Sequence, residues 1–137
     1  MLDERVDDAV DWSTFASVRA ELGANFVRIL GYFREDGEKS VAKIEAAMHA
    51  KDAAAMILPA HTMKSEARQF GALPLAMLAE EIETSARHGI EMRLFPDQIL
   101  PQVAQLRPLY RHTIELLEDR ANPLLQRRPN GFGRRAG

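Results

Sequence analysis

The stretch that decides the fold reads Met56-Ile-Leu-Pro-Ala-His-Thr-Met-Lys-Ser-Glu-Ala-Arg-Gln-Phe-Gly-Ala72. On a helix, at about 100° per residue, its apolar residues form one stripe and most of its polar residues lie on the other side. The members of the stripe step by three or four positions: Met56, Ala60, Met63, Ala67 and Phe70. We therefore expect an amphipathic helix whose His61 faces solvent, with Lys64 one helical turn further along.

The solvent-facing side of this helix has the residue types of a phosphoryl acceptor. A neutral imidazole keeps a lone pair on one ring nitrogen, so an exposed His61 is able to act as a nucleophile. Lys64 would offset the charge of a phosphoryl group on that ring, and the small side chain of Ser65 leaves room for a partner. Leu58 and Ile57 border the same side and are candidate docking residues. The same pattern also fits an ordinary exposed histidine with basic neighbours.

Three short motifs together resemble the histidine-containing phosphotransfer (HPt) family: Ala60-His61-x-x-Lys64-Ser65, Gly71-Ala72 and Leu78-Ala79-x-x-Ile82-Glu83. The resemblance covers about residues 12 to 119. It departs from the family pattern Ala-His-x-Leu-Lys-Gly at two positions, where Met63 replaces leucine and Ser65 replaces glycine. Pro59 is also unusual inside this helix. None of these departures removes the nucleophile or its lysine.

The resemblance implies a phosphorelay intermediate. His61 would accept a phosphoryl group from the aspartyl-phosphate of a receiver domain and pass it to another receiver. The partners would be receiver domains of response regulators or of a hybrid histidine kinase, and the receiver would supply the divalent cation. Glu83 would reach from the next helix to the other ring nitrogen of His61, although a solvated acid fits the run of glutamates almost as well. Gln69 is an alternative partner for that nitrogen, and Arg68 would complement the acids of the receiver.

The helical pattern before His61 predicts two helices. Asp11 is a candidate N-cap of a short first helix, with a possible break near Gly23. A single long helix, and not two separate ones, follows over about residues 21 to 50, with a weak point at Glu35–Glu38 around Gly37. The helix that carries His61 begins after Asp52, or alternatively at Pro59 as a first-turn proline.

The pattern after His61 predicts two more helices. Gly71 ends the helix that carries His61, and Pro74 opens the next one. We expect Gly89 to end that helix and Asp97 to cap the last one, which runs to about residue 119. The fold class is therefore all-α, an antiparallel four-helix bundle with a short additional N-terminal helix.

Length and charge define the expected organisation. At 137 residues the chain fits one domain, which we place at residues 1–122, followed by a basic, disordered tail over residues 123–137. The net charge is −2, and four of the 18 basic residues lie in the tail, so the body carries −6. Such an acidic body argues against nucleic-acid binding.

The sequence lacks the motifs of several other functional classes. The chain has no cysteine, no signal-peptide pattern and no apolar run of membrane-spanning length, so we expect a cytoplasmic monomer that does not bind membranes. Glycine-rich nucleotide motifs are absent, which predicts a carrier without a cofactor or ATP-dependent kinase activity. No histidine follows a glutamate by three positions, which argues against a metal site of the di-iron type. The rival function is a helical interaction module that binds a receiver or kinase domain without taking phosphate.

Overall fold

The computed structural model describes residues 8–121, and all regular structure in that part of the chain is helical. The predicted tail over residues 123–137 lies outside the described residues, so the domain boundary stays a prediction. The helices and their bounds are α1 (Trp12–Leu22), α2 (Phe26–Ala50), α3 (Ala53–Gln69), α4 (Leu73–Met92) and α5 (Leu100–Ala121), with 3₁₀ turns at Gly23–Asn25 and Asp97–Ile99.

Helices α2 to α5 form the predicted four-helix bundle. Each packs against its chain neighbours, and α2 closes the ring against α5. The connections are short, which makes chain neighbours antiparallel. Helix α3 packs most extensively against α4, and α1 lies against α2 and α3 as the predicted additional helix. The predicted fold class is confirmed.

A continuous chain of aromatic rings links α1 to the middle of the bundle. Phe70 stacks on Phe33 with ring centroids 5.5 Å apart, and both rings are buried. The other neighbouring rings meet edge to face, a favourable geometry for aromatic pairs. In order of contact the rings are Trp12, Phe15, Phe26, Phe70, Phe33 and Tyr110. This chain fixes the C-terminal end of α3 inside the core.

Helix α3 begins after Asp52 and not at Pro59. The carboxylate of Asp52 accepts a hydrogen bond from the backbone N–H of Ala55 at 3.1 Å, as an N-cap does. Pro59 lies buried in the helix interior. The longer of the two predicted helices is therefore the one formed. His61 consequently lies well inside α3, away from the free N–H groups of the first turn.

The turn that ends α3 depends on Gly71. Its φ of 80° lies in the left-handed region, which glycine adopts without strain. A Cβ at this position would stand 2.6 Å from the backbone oxygen of Asp11. The backbone N–H of Asp11 donates to the carbonyl oxygen of Gly71 at 2.7 Å. Gly71 thus turns the chain into α4 and lets the start of α1 approach the bundle.

Gly37 is a packing residue inside the single long helix that the sequence predicts. Helix α2 runs through it without interruption, and the residue is buried. A Cβ there would stand 2.3 Å from Cε1 of the buried Tyr110 ring. The glycine therefore makes room for a tyrosine whose hydroxyl donates to the carbonyl of Arg34 on the same helix. The possible break near Gly23 is real, because a 3₁₀ turn separates α1 from α2 there.

Two predicted boundaries around α4 and α5 are wrong. Helix α4 continues past Gly89 to Met92 and ends at Arg93, which has a left-handed φ of 55°. Gly89 is instead buried against the following loop, where a Cβ would stand 2.7 Å from the carbonyl oxygen of Leu94. Asp97 does not cap α5. It begins a 3₁₀ turn, and its carboxylate pairs with Lys51.

Candidate functional site

His61 stands on the outer face of α3, on the side opposite the apolar stripe. The stripe is fully buried, and its burial sets the rotation of the helix about its axis. The side chain of His61 is consequently 50% exposed. Its ring therefore lies at the surface of the bundle, within reach of a partner molecule, as the periodicity of the sequence predicts.

The inner nitrogen of the His61 ring faces a buried acid. Nδ1 lies 3.1 Å from Oε2 of Glu83, whose side chain on α4 is only 7% exposed. An ionised carboxylate only accepts hydrogen bonds, so Nδ1 carries the proton in this contact. The neutral imidazole then has its lone pair on Nε2. The structure thus places Glu83, and not Gln69, at the second ring nitrogen.

Glu83 stays ionised because two cations surround it. Burial raises the pKa of Glu83, but the ammonium of Lys64, the guanidinium of Arg87 and the contact with His61 outweigh it and lower the pKa to about 2. Lys64 Nζ lies 2.8 Å from Oε1. Arg87 donates to Oε2 from Nε at 3.0 Å and from Nη2 at 2.8 Å. The acid that orients His61 is therefore a carboxylate at any pH near neutrality.

Lys64 is bound differently from the sequence expectation. The expectation aimed its ammonium at a phosphoryl group, whereas the side chain is only 15% exposed and pairs with Glu83. Lys64 Nζ lies 2.8 Å from Oε1 of Glu83, and this contact is the first of the effects that lower the pKa of that carboxyl group. Lys64 would have to release Glu83 before it met a phosphoryl group on His61.

The remaining polar candidates of α3 form an exposed rim beyond the histidine. Ser65, Arg68 and Gln69 are all exposed. Arg68 donates from Nη2 to Oε1 of Glu80 on α4 at 3.1 Å, in a pair whose side chains are about half exposed. These residues contact neither His61 nor Glu83 in the described hydrogen bonds and ion pairs.

The two docking candidates differ in exposure. Leu58 is 71% exposed, one turn before His61, whereas Ile57 is half-buried against the core. Leu58 also borders a cleft of about 420 Å³ between α2 and α3. Lys39 and Lys43 line the opposite wall of that cleft. The surface beside the histidine thus combines an exposed aliphatic side chain with two cations.

Sequence reasoning missed two features of this region. Arg87 follows Glu83 by four positions, a spacing that places both on one helix face, so the pair was detectable in principle. A carboxyl pair between α2 and α3 carried no local signal. There, burial and then the neighbouring Asp36 raise the pKa of Glu66 to about 7.

The described residues show little sign of other chemistry. Within residues 8–121, no group of three or more potential metal-binding side chains comes together. His49, His88 and His112 are exposed. None of the helices in this range combines the length and the apolar character needed to cross a lipid bilayer.

Comparison with known proteins assigns the family. The family model of the Hpt domain matches residues 28–121, which include α3 and the Glu83 segment of α4. The chain therefore belongs to the Hpt domain family, and it is a histidine phosphotransfer protein of a phosphorelay.

A solved relative has the same architecture. The crystal structure of histidine-containing phosphotransfer protein B (HptB) from Pseudomonas aeruginosa PAO1 is similar to this chain at 26% identity and a TM-score of 0.71. The match covers 82% of this chain and 93% of that one. A comparison with curated protein sequences gave no match.

Proposed function

We propose that His61 is the phosphoacceptor of this domain. The observation that carries the proposal is the half-exposed imidazole whose Nδ1 is held by the buried carboxylate of Glu83. That contact supports a lone pair on Nε2, the ring nitrogen remote from the backbone. Because the His61 ring is half-exposed, this nitrogen is accessible to a second protein and to its phosphoryl group.

In the proposed transfer, bonds form and break only at the imidazole and at the phosphorylated partner. The Nε2 lone pair of His61 attacks the phosphorus of an aspartyl-phosphate on a receiver domain. A P–N bond forms, the P–O bond to the aspartate breaks, and its electron pair stays on the aspartate carboxylate. The ring becomes cationic with its proton still on Nδ1, where Glu83 offsets the charge. The reverse steps pass the group to another receiver, so the domain is a carrier and not an ATP-dependent kinase.

The receiver would dock on the surface around Leu58, Ile57 and the exposed rim of α3. Leu58 offers apolar area next to the reacting ring, and Arg68 offers a cation to an acidic receiver site. A receiver of a response regulator or of a hybrid histidine kinase fits this chemistry. The cytoplasmic location and the monomeric state expected from the sequence stay predictions.

The rival is an interaction module that binds such a partner without taking phosphate. The ordered contact between Glu83 and His61 Nδ1 favours the carrier, because binding alone gives no reason to orient the ring. Phosphoryl transfer from a labelled receiver separates the two functions. We expect acid-labile, base-stable label on the wild type and none on His61→Gln.

The matched control is His88→Gln. His88 is also exposed, and its Nδ1 lies 3.8 Å from Glu91; none of the described hydrogen bonds or ion pairs joins it to Glu83. This variant should take label like the wild type. An unlabelled wild type across a panel of receivers, or label retained by His61→Gln, would refute the proposal.

Lys64 is proposed to stabilise the phosphoryl group after leaving Glu83. Loss of one charge-assisted contact corresponds to about a tenfold effect, so Lys64→Ala should slow transfer or shorten the life of the phospho-form to that extent. Circular dichroism at 222 nm should stay unchanged, because Arg87 still pairs with the buried carboxylate. If neither the transfer rate nor the lifetime changes, Lys64 has no part in the reaction.

A further inference from the structure

The two oxygens of Glu83 are held unequally. Oε2 accepts from Arg87 through Nε and Nη2, at 3.0 and 2.8 Å, and it also faces His61 Nδ1 at 3.1 Å. Oε1 has a single partner among the described ion pairs, Lys64 Nζ at 2.8 Å. Lys64 therefore makes one contact with Glu83, whereas Arg87 donates two hydrogen bonds to it, so Arg87 can still hold the carboxylate when Lys64 leaves.

The balance of charge changes when a phosphoryl group arrives. In the resting site two cations, Lys64 and Arg87, face one carboxylate. A phosphoryl group adds a charge of about −2 near neutral pH. A single lysine would then have to serve both the new group and the buried Glu83. With Arg87 on Glu83, each of the two anions keeps its own cation, and the carboxylate is never left buried without a partner.

We infer that Arg87 is a positioning residue that holds Glu83 in place while Lys64 moves from Glu83 to the phosphoryl group on His61. The inference rests on the proposed role of His61. Arg87 acts through Glu83, since its two N–H groups converge on the oxygen that also faces Nδ1. Its guanidinium fixes the direction of that carboxylate, whereas a lysine would supply a charge with less directional control.

A double-mutant cycle tests this role. Arg87→Gln should slow transfer to His61 or shorten the life of the phospho-form about tenfold. In the Lys64→Ala background the same change should have less than about a twofold effect, because no lysine is left to be released. Arg87→Lys should restore part of the loss, since it returns the charge at the end of a flexible side chain.

Arg34→Gln is the matched control for Arg87→Gln. The Arg34 side chain is 61% exposed against 57% for Arg87, and it also pairs with one glutamate, Glu118, at 3.1 Å. It should behave as the wild type. Equal effects of Arg87→Gln in both backgrounds would overturn the inference, because Arg87 would then act without Lys64. A transfer rate and a phospho-form lifetime equal to those of the wild type in Arg87→Gln would overturn it as well. An unlabelled wild type would instead refute the proposed function itself.

Discussion

The charge of Glu83 should be a large contributor to the stability of the bundle. The folded-state pKa of about 2, against the ordinary value of 4.5, corresponds to about 3 kcal/mol in favour of the ionised folded state. Because the pKa is lowered, this contribution is complete above pH 4.5 and is lost as the pH falls towards 2. Glu83→Gln keeps the size of the side chain but removes the charge, leaving Lys64 and Arg87 without their acid. We therefore expect it to lose about 3 kcal/mol at pH 7, within the range for breaking buried ion pairs.

Urea unfolding at pH 7, followed by circular dichroism, measures this loss. Glu80→Gln is the matched control, because Glu80 lies on the same helix and also pairs with an arginine, but at 49% side-chain exposure. Exposed pairs contribute about 0 to 1 kcal/mol, so this variant should stay within about 1 kcal/mol of the wild type.

The dependence of the unfolding free energy on pH below 4.5 is a second measure of the contribution of Glu83 to stability. Between pH 4.5 and 2 the wild type should lose about 3 kcal/mol more than Glu83→Gln does. A loss below about 1 kcal/mol for Glu83→Gln at pH 7, or equal losses for the Glu83 and Glu80 variants, would refute the argument. It would mean that Lys64 and Arg87 do not offset the burial of the carboxylate.

Three further predictions concern the scaffold and the docking surface. Gly37→Ala should destabilise the protein by about 1–3 kcal/mol, because the new methyl group meets a buried tyrosine ring. Gly31→Ala, in open space on the same helix, should stabilise it by up to about 1 kcal/mol. Urea unfolding that ranks the two variants in the opposite order would contradict this prediction. The raised pKa of Glu66 means that its contribution is present below pH 4.5 and is lost as the pH rises through about 7. Glu66→Gln should therefore exceed the wild type in stability at pH 8 and depend less on pH, and a flat wild-type profile between pH 5 and 8 would disprove this. Leu58→Asp should weaken receiver binding in calorimetry, while Leu94→Asp, at an equally exposed leucine, should not, and equal effects would exclude docking beside the histidine.

The rotation of α3 was predictable because helical periodicity is local. Three- and four-residue steps of apolar residues fix which side is buried, and His61 lies on the other side whatever the neighbouring helix contributes. The N-cap at Asp52 and the turn at Gly71 follow from equally local chemistry. These signals suffice for the rotation and for both ends of the helix that carries His61.

The end of α4 shows where local signals fail. A glycine near the end of a helical pattern usually marks the C-cap, yet Gly89 lies inside the helix and Arg93 takes the left-handed conformation. The glycine is there because the following loop packs against it, and that contact involves residues beyond the helix. The packing role of Gly37 was not predictable for the same reason, since Tyr110 lies 73 positions further along the chain.

The direction of Lys64 could not be read from the sequence either. One helical turn places its Cα beside His61, but the ammonium at the end of a long side chain follows the strongest nearby charge. That charge is Glu83, 19 positions further along, which the packing of α4 on α3 buries beside it. Spacing within one helix therefore predicts which residues are neighbours, and the partner helix decides which of them are already paired.

The nitrogen that we propose as the reacting atom is separated from the groups that would control it. Nε2 belongs to a half-exposed ring, while Nδ1, Glu83 and Lys64 lie on its inner side. A partner can therefore approach the nucleophile without displacing the contact that sets its protonation. In the mechanism we propose, the ammonium of Lys64 changes its partner when the phosphoryl group arrives, and the carboxylate that it leaves is still held by Arg87.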